Sequence, residues 1–341
     1  MKVSVIIPCY NEELYISACL ESLVNGSFPK EQLEILVVDG GSTDKTKALV
    51  LQLQKVHPQI HWMENPRQKT PFALNLGIQN ASHSFLLIAG AHAIYPTDYL
   101  SRLTELILQP GIDAVGGAIE TRVKNNTSKT RAIQFVLSHR FGVGNSLFRI
   151  GANQLIEVDT VPFGLYKKEV FEKSGLYNEK LIRNHDIELS KRIKQQGFRI
   201  WMEPNLKVAY FARETFSGLA RNNYGNGFWN IRTLFITRKL KSLGLRHYIP
   251  LVFLLSLILP LILALIFDAR LIFPALASFG FYLLFVAGIG FINRKAVNLY
   301  YLVLAFFVLH FSYGFGSLRG FFSGFGDTGK RKEMKLQKSK L

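Results

Sequence analysis

Hydrophobic positions in the first ninety residues follow two alternating rhythms. Val3, Val5, Ile6 and Ile7 form a short continuous apolar run, as do residues 35–38 and 85–89, each suited to a strand covered on both faces. Between the first two runs Ile16, Cys19, Leu20 and Leu23 recur at helical spacing, and after the second Leu49, Val50 and Leu53 do the same. Strand, helix, strand, helix at this interval predicts βαβ units and a doubly wound α/β sheet. The stretch 34–46 reads as a buried strand ending on Asp39, a Gly40-Gly41 turn, and a helix capped by Ser42 or Thr43. Asp39 is then expected at the carboxyl end of a strand, facing a crevice beside free helix amides, where a nucleotide can be held. The plainer alternative is that Asp39 caps the turn.

Further along, residues 114–119 are strand-like, 122–131 are polar and basic, and 138–146 form a glycine-bearing segment expected to be a site-lining loop. Phe163-Gly164-Leu165-Tyr166 precedes a helix over 167–174. A second helix opens at Arg183-Asn184-His185-Asp186-Ile187-Glu188-Leu189, runs to Gln196 and is stopped by Gly197. Asp186 and Glu188 share its first turn. Carboxylates there either cap the helix or, if one faces a crevice, accept a proton; periodicity does not separate the two. The Gly-x-Gly-x-x-Gly dinucleotide fingerprint is absent after the first strand, which disfavours an NAD-type oxidoreductase. The loop offers Pro8, Tyr10, Asn11 and Glu12 instead, a set suited to a base and ribose. Arg67 and Lys69 lie in a loop over 65–71 where they can meet phosphate.

The C-terminal third changes character. Over 219–247 aromatic and apolar residues alternate with cations, a pattern that predicts amphipathic helices on an anionic leaflet. Three apolar stretches follow at 249–267, 271–292 and 297–318, each of about twenty residues and long enough to span a bilayer. Basic residues before 249 and in the tail (Lys330, Arg331, Lys332, Lys335, Lys338, Lys340) would both face the cytoplasm, which three full crossings forbid. The third stretch, interrupted by Gly314 and Gly316 and carrying His310 and Ser312, is therefore the expected re-entrant segment, unless the tail is exported. Net charge is +17 and the pI about 9.8, yet beyond Glu214 the only acids are Asp268, Asp327 and Glu333. This distribution points to a membrane surface and not to nucleic acid, since no zinc spacing, helix-turn-helix or RNP-like pattern accompanies it. Cys9 and Cys19 form no disulfide framework and are expected to be reduced, in keeping with a cytosolic catalytic part. The strand-like start is not a signal peptide.

Five segments in order carry a resemblance: Val5-Ile6-Ile7-Pro8-Cys9-Tyr10-Asn11-Glu12, Val37-Val38-Asp39-Gly40-Gly41-Ser42-Thr43-Asp44, Ala73-Leu74-Asn75-Leu76-Gly77, Phe141-Gly142-Val143-Gly144-Asn145-Ser146 and the run 183–189. Together they resemble the family 2 glycosyltransferases, within them the ExoA-like exopolysaccharide enzymes. The resemblance covers residues 1–229 closely. It implies a GT-A (Rossmann-like) nucleotide-sugar transferase domain over 1–212, with amphipathic interfacial helices over 213–248, two to three transmembrane helices over 249–318 and a basic tail over 319–341. It implies inversion at the anomeric carbon by one in-line displacement, with Asp186 as catalytic base. Pro8, Tyr10, Glu12 and Asp39 match positions lining the nucleoside pocket; Lys69, Asn75, Gly90, His92 and Glu188 complete the expected nucleotide-sugar site.

The chain departs from the family in two places. Where the family carries Asp-x-Asp, or Asp-Ala-His in the nearest subgroup, to hold a divalent cation (manganese or magnesium), this chain has Gly90-Ala91-His92. His92 is then the only expected metal ligand, better matched to manganese than to magnesium. His185 also stands where the family tends to carry glutamate or glutamine. A neutral histidine keeps hydrogen bonding, whereas a protonated one would lower the basicity of Asp186. No Gln-x-x-Arg-Trp spacing appears over 221–229, so a processive polymer synthase is not expected. The expectation is a multi-pass enzyme of the cell (inner) membrane with a cytoplasmic catalytic domain, moving a sugar, from UDP most readily, to a lipid-linked or growing glycan acceptor. The rival is a catalytically degenerate nucleotide-binding scaffold in a polysaccharide assembly complex, for which Gly90 speaks.

Overall fold

Val3, Val5 and Ile7 pack on one side of a sheet and Ile6 on the other, the period-two consequence of a strand buried on both faces. The computed structural model describes residues 1–338. Its strands are β1 (Val3–Cys9), β2 (Leu33–Asp39), β3 (Ile60–Glu64), β4 (Phe85–Ile88), β5 (Ala93–Ile94), β6 (Ala114–Arg122), β7 (Ile156–Glu157), β8 (Leu165–Lys167) and β9 (Ile200–Phe211). They form one sheet in the order β3-β2-β1-β4-β8-β6-β9-β5, with β7 on β9. The first four are parallel, as the βαβ rhythm predicts. The far half is mixed, because the short β8 enters antiparallel between β4 and β6. A three-residue strand carries no period of its own, and β9 was not anticipated. The GT-A-like layering of helices on a mixed sheet is nevertheless the one expected.

The chain divides into two units: Met1–Arg122 with Ser146–Phe211, and Val123–Asn145 with the residues from Ala212 onward. In the first, helices Ile16–Val24 and Tyr99–Ile107 cover one face of the sheet through Ile16, Leu20, Leu103 and Ile107. Helices Thr70–Asn80, Lys168–Ser174 and His185–Gln195 cover the other through Leu74, Ile78, Phe171 and Ile193.

The second unit contains helices Phe216–Thr237, Ile249–Ile266, Phe273–Ile292 and Leu299–Lys338. Three segments, Leu245–Ile266, Ala269–Ile292 and Leu299–Gly324, are long and apolar enough to cross a membrane. Two expectations change here. The third apolar helix is not interrupted at Gly314 and Gly316 but is continuous over 40 residues, about 60 Å at ~1.5 Å per residue. Its glycines serve packing: a Cβ at Gly316 would strike the Tyr224 carbonyl, and one at Gly320 would lie 2.6 Å from that of Phe228. Helix Phe216–Thr237 therefore buries Leu219, Asn223, Gly227 and Ile231 instead of presenting a free amphipathic face. The segment expected to line the site over 138–146 is helical at Arg140–Val143, and Phe141 packs on Tyr282, Phe285, Phe306 and His310 within this second unit. Of the tail cations, Lys340 lies outside the described residues.

Candidate active site

The carboxyl ends of β1, β2 and β4 bring Pro8, Tyr10, Glu12, Asp39, Gly90 and His92 to one edge of the sheet. Cys9 stands opposite Asp39 in register, Pro8 opposite Val38. Tyr10 is 58% exposed, as a ring waiting to stack on a planar ligand would be. The turn after β2 differs from the expected free helix terminus. Asp39 Oδ2 accepts from the Gly41 and Ser42 amides at 2.9 and 2.8 Å, and its Oδ1 accepts from the Ser42 hydroxyl. The loop after β1 takes the next groups: Asn11 Oδ1 accepts from the Thr43 amide, Glu13 Oε2 from that of Lys45, and the Glu12 amide donates to Thr46 Oγ1. The helix accordingly begins later, at Thr46. The amides of the turn before it, at Gly41, Ser42, Thr43 and Lys45, are occupied by two interlocked loops, and Asp39 caps that turn. Asn11 sits at φ +53°, the left-handed conformation that lets this loop turn back.

Gly90 and His92 follow β4. His92 Nδ1 lies 3.2 Å from Glu12 Oε1, and its ring stands 5.2 Å from that of Tyr210 and 6.4 Å from that of Tyr15. The expected cation is tested at Gly90. A Cβ there would fall 2.7 Å from Cε1 of Phe163, so the ring already occupies the space a carboxylate at this position would need. Phe163 is held there by Tyr99, whose hydroxyl donates to its carbonyl at 2.8 Å, and by an edge contact with Tyr95 at 5.8 Å. Among the described residues no three His, Cys, Asp or Glu side chains converge to hold a metal. Glu12 and His92 face one another at this edge, two potential ligands and not a closed protein-held set.

Arg149 was not anticipated. It follows Phe148 in the short helix Leu147–Ile150, and its guanidinium lies 5.7 Å from the ring of Phe148 and 5.7 Å from that of Tyr210. Its Nη1 is buried without a hydrogen-bond partner among the described residues. A lone arginine after a glycine-bearing segment gives no pattern to read, so only the register that sets Tyr210 opposite Ala93 reveals it.

A second group gathers at helix His185–Gln195. Glu188 is buried and bound twice by Arg192, Oε1 to Nε at 2.8 Å and Oε2 to Nη2 at 3.0 Å, while Arg192 also donates to the carbonyls of Ser174 and Leu176. Asp186, in the same turn, is exposed. Asn75, expected at the nucleotide, spends its amide on the Tyr177 backbone: Oδ1 accepts from the Tyr177 amide at 2.9 Å and Nδ2 donates to its carbonyl at 3.0 Å. Asn75 and Glu188 thus hold neighbouring loops in place, whereas Lys69 is exposed at the cap of helix Thr70–Asn80. The charge of Asp186 is felt by Tyr166, Tyr177 and His185. Burial, with the charge of Asp186 adding to it, pushes the phenols of Tyr166 and Tyr177 up. Burial holds His185 below its ordinary value against the opposing pull of Asp186. His185 therefore places no positive charge beside the carboxylate at neutral pH.

The sequence model of glycosyl transferase family 2 matches residues 4–175. A Methanococcus voltae protein named dolichyl N-acetyl-alpha-D-glucosaminyl phosphate 3-beta-D-2,3-diacetamido-2,3-dideoxy-beta-D-glucuronosyltransferase is 32% identical over 251 residues, 68% of this chain and 77% of that one. The succinoglycan biosynthesis protein ExoA of Rhizobium meliloti (strain 1021) is 30% identical over 249 residues, 72% and 74% of the two chains. Among solved structures, the mannosyltransferase PcManGT from Pyrobaculum calidifontis, in complex with GDP-Man and Mn2+, is 18% identical with a TM-score of 0.56, covering 90% of this chain and 86% of that one. Residues 1–349 of S. aureus TarS, in complex with UDP-GlcNAc, give 17% identity and a TM-score of 0.54, covering 94% and 92%. These two share the fold. With the GT-A-like sheet and the matched family region on the same residues, the chain belongs to glycosyl transferase family 2 and is a glycosyltransferase related to ExoA.

Proposed function

We propose that this enzyme moves a sugar from a uridine diphosphate donor to a lipid-linked or growing glycan acceptor at the cytoplasmic face of the membrane, inverting the anomeric carbon. The observation that carries the reading is the unequal fate of two carboxylates in one helical turn. Glu188 is locked into an ion pair with Arg192, and Asp186 is exposed. Only the second can accept a proton from an incoming hydroxyl. In the step itself the acceptor oxygen bonds to the anomeric carbon, the bond from that carbon to the diphosphate oxygen breaks with its electron pair, and the acceptor proton passes to Asp186. Pro8, Tyr10 and Glu12 form the nucleoside edge, and His92 extends it toward the diphosphate. The name of the Methanococcus voltae relative describes a dolichyl phosphate-linked sugar as its acceptor, which supports a lipid-linked acceptor here. Three apolar helices support multiple crossings. The exposed Asp186 argues against the degenerate scaffold.

The test is Asp186→Asn in the detergent-solubilised full chain, with UDP-sugars and a membrane lipid extract. Acceptor-dependent UDP release should fall about 100- to 10,000-fold while UDP binding is kept. Release at the wild-type rate would remove Asp186 from the mechanism.

A further inference from the structure

The reaction leaves negative charge on the departing diphosphate, and that charge needs a positive counterpart. The end of β4 does not supply a carboxylate through which a cation could be held: Phe163 fills the space at Gly90. One ring away from His92, however, lies an arginine whose Nη1 has no hydrogen-bond partner among the described residues. Tyr210 of β9 pairs in register with Ala93, so its ring stands beside His92, and the Arg149 guanidinium rests over that same ring. Phe148 and Tyr210 fix the guanidinium by cation–π contact, which positions its fork without neutralising it. Burying a charged nitrogen with no acceptor is unfavourable, and burial accordingly works against the charge on Arg149. An oxyanion brought against Nη1 would relieve both.

Resting on the nucleotide-sugar reading above, we propose that Arg149, braced by Tyr210 and Phe148, is the anchor for the donor diphosphate and a catalytic residue that stabilises the charge formed as the sugar leaves. Arginine suits this task because its planar fork meets two phosphoryl oxygens at once. Phe163 and Arg149 are then two halves of one arrangement. The first closes the position from which a metal-binding carboxylate would reach the diphosphate; the second provides a fixed charge beside it.

The test compares binding of UDP and of uridine to the full-length protein in detergent, by calorimetry with EDTA present. The wild type should bind UDP well above uridine. Arg149→Gln should lose about 10- to 100-fold in UDP affinity and leave uridine affinity unchanged, with Arg149→Lys recovering part of the loss. Unchanged uridine affinity also certifies that the variant is folded. Five results overturn the assignment, the last of them by removing the reading it rests on. If Arg149→Gln binds UDP as the wild type does, the diphosphate is held elsewhere. If UDP and uridine weaken together, Arg149 is structural. If EDTA alone removes the advantage of UDP over uridine, a cation is the anchor. If only binding to vesicles carrying a polyprenyl phosphate suffers, the oxyanion belongs to the acceptor. Should the wild type bind neither uridine nor UDP, the uridine donor reading itself falls, and the assignment with it.

Discussion

Glu188 and Asp186 are two residues apart, and their environments differ. Glu188 has both oxygens on Arg192, and Arg192 in turn carries the carbonyls of Ser174 and Leu176. Glu188→Gln leaves that part-buried guanidinium half-paired, so it should cost about 1–3 kcal/mol of stability. Thermal melting checks this, and the folded fraction should bind UDP as the wild type does. A loss of UDP affinity without a loss of stability would restore Glu188 to the nucleotide site. His185 gives a pH dependence whose sign follows from its depressed folded value. The unfolded chain binds the proton that the fold refuses, so the fold is favoured above about pH 6.5 and loses that contribution as pH falls below it. The groups facing His185 are the Asp186 carboxylate on its own helix and the Tyr177 ring at 5.4 Å. His185→Gln should flatten the decline in melting temperature between about pH 7 and about pH 5.

At the scale of elements, a glycine series decides how helix Leu299–Lys338 meets helix Phe216–Thr237. Gly316, Gly320 and Gly324 recur every fourth residue, and each would strike the facing helix if given a Cβ: the Tyr224 carbonyl, the Phe228 carbonyl at 2.6 Å and the Phe235 ring. Gly227 answers from the other side, against the Tyr313 carbonyl. Such close approach lets backbones pack where hydrophobic burial alone offers little in a lipid environment. Gly320→Val should therefore destabilise the pair by about 1–3 kcal/mol, read as a lower melting temperature in detergent, whereas Gly288→Val, which meets nothing within 4 Å, should not. Equal effects at the two positions would mean that helix propensity and not packing was being measured.

For the whole molecule, a net charge of +17 and three apolar helices suited to crossing a bilayer make different predictions about how the chain is held. If basic residues alone bound an anionic surface, high salt would release it. Crossing helices resist this, so the full chain should stay in the membrane pellet through both about 1 M salt and alkaline carbonate, and only detergent should extract it. Release by carbonate would make the attachment peripheral and withdraw the multiple crossings.

Periodicity and composition were enough for the parallel half of the sheet, the helices on it and the apolar C-terminal helices, because burial on a face or in a membrane leaves a repeat in the sequence. Val5, Ile6 and Ile7 announce a central strand wherever they are met. The ordered segments were enough for the family. The function of single polar groups was not legible in the same way, because a side chain's partner is chosen in space. Nothing near Asn75 in the sequence points to the Tyr177 backbone, 102 positions away. The first turn of helix His185–Gln195 offers two carboxylates, and the fold pairs Glu188 with Arg192 while leaving Asp186 exposed. The break expected at Gly314 and Gly316 became close helix packing, since a glycine's meaning depends on what approaches it. Glycine at position 90 likewise reads in sequence as a missing ligand, and tertiary structure shows an aromatic ring filling the space, with the Arg149 guanidinium over the tyrosine that borders His92. Local pattern records which face is buried; chemistry at a site depends on which distant groups the fold brings within a few ångströms.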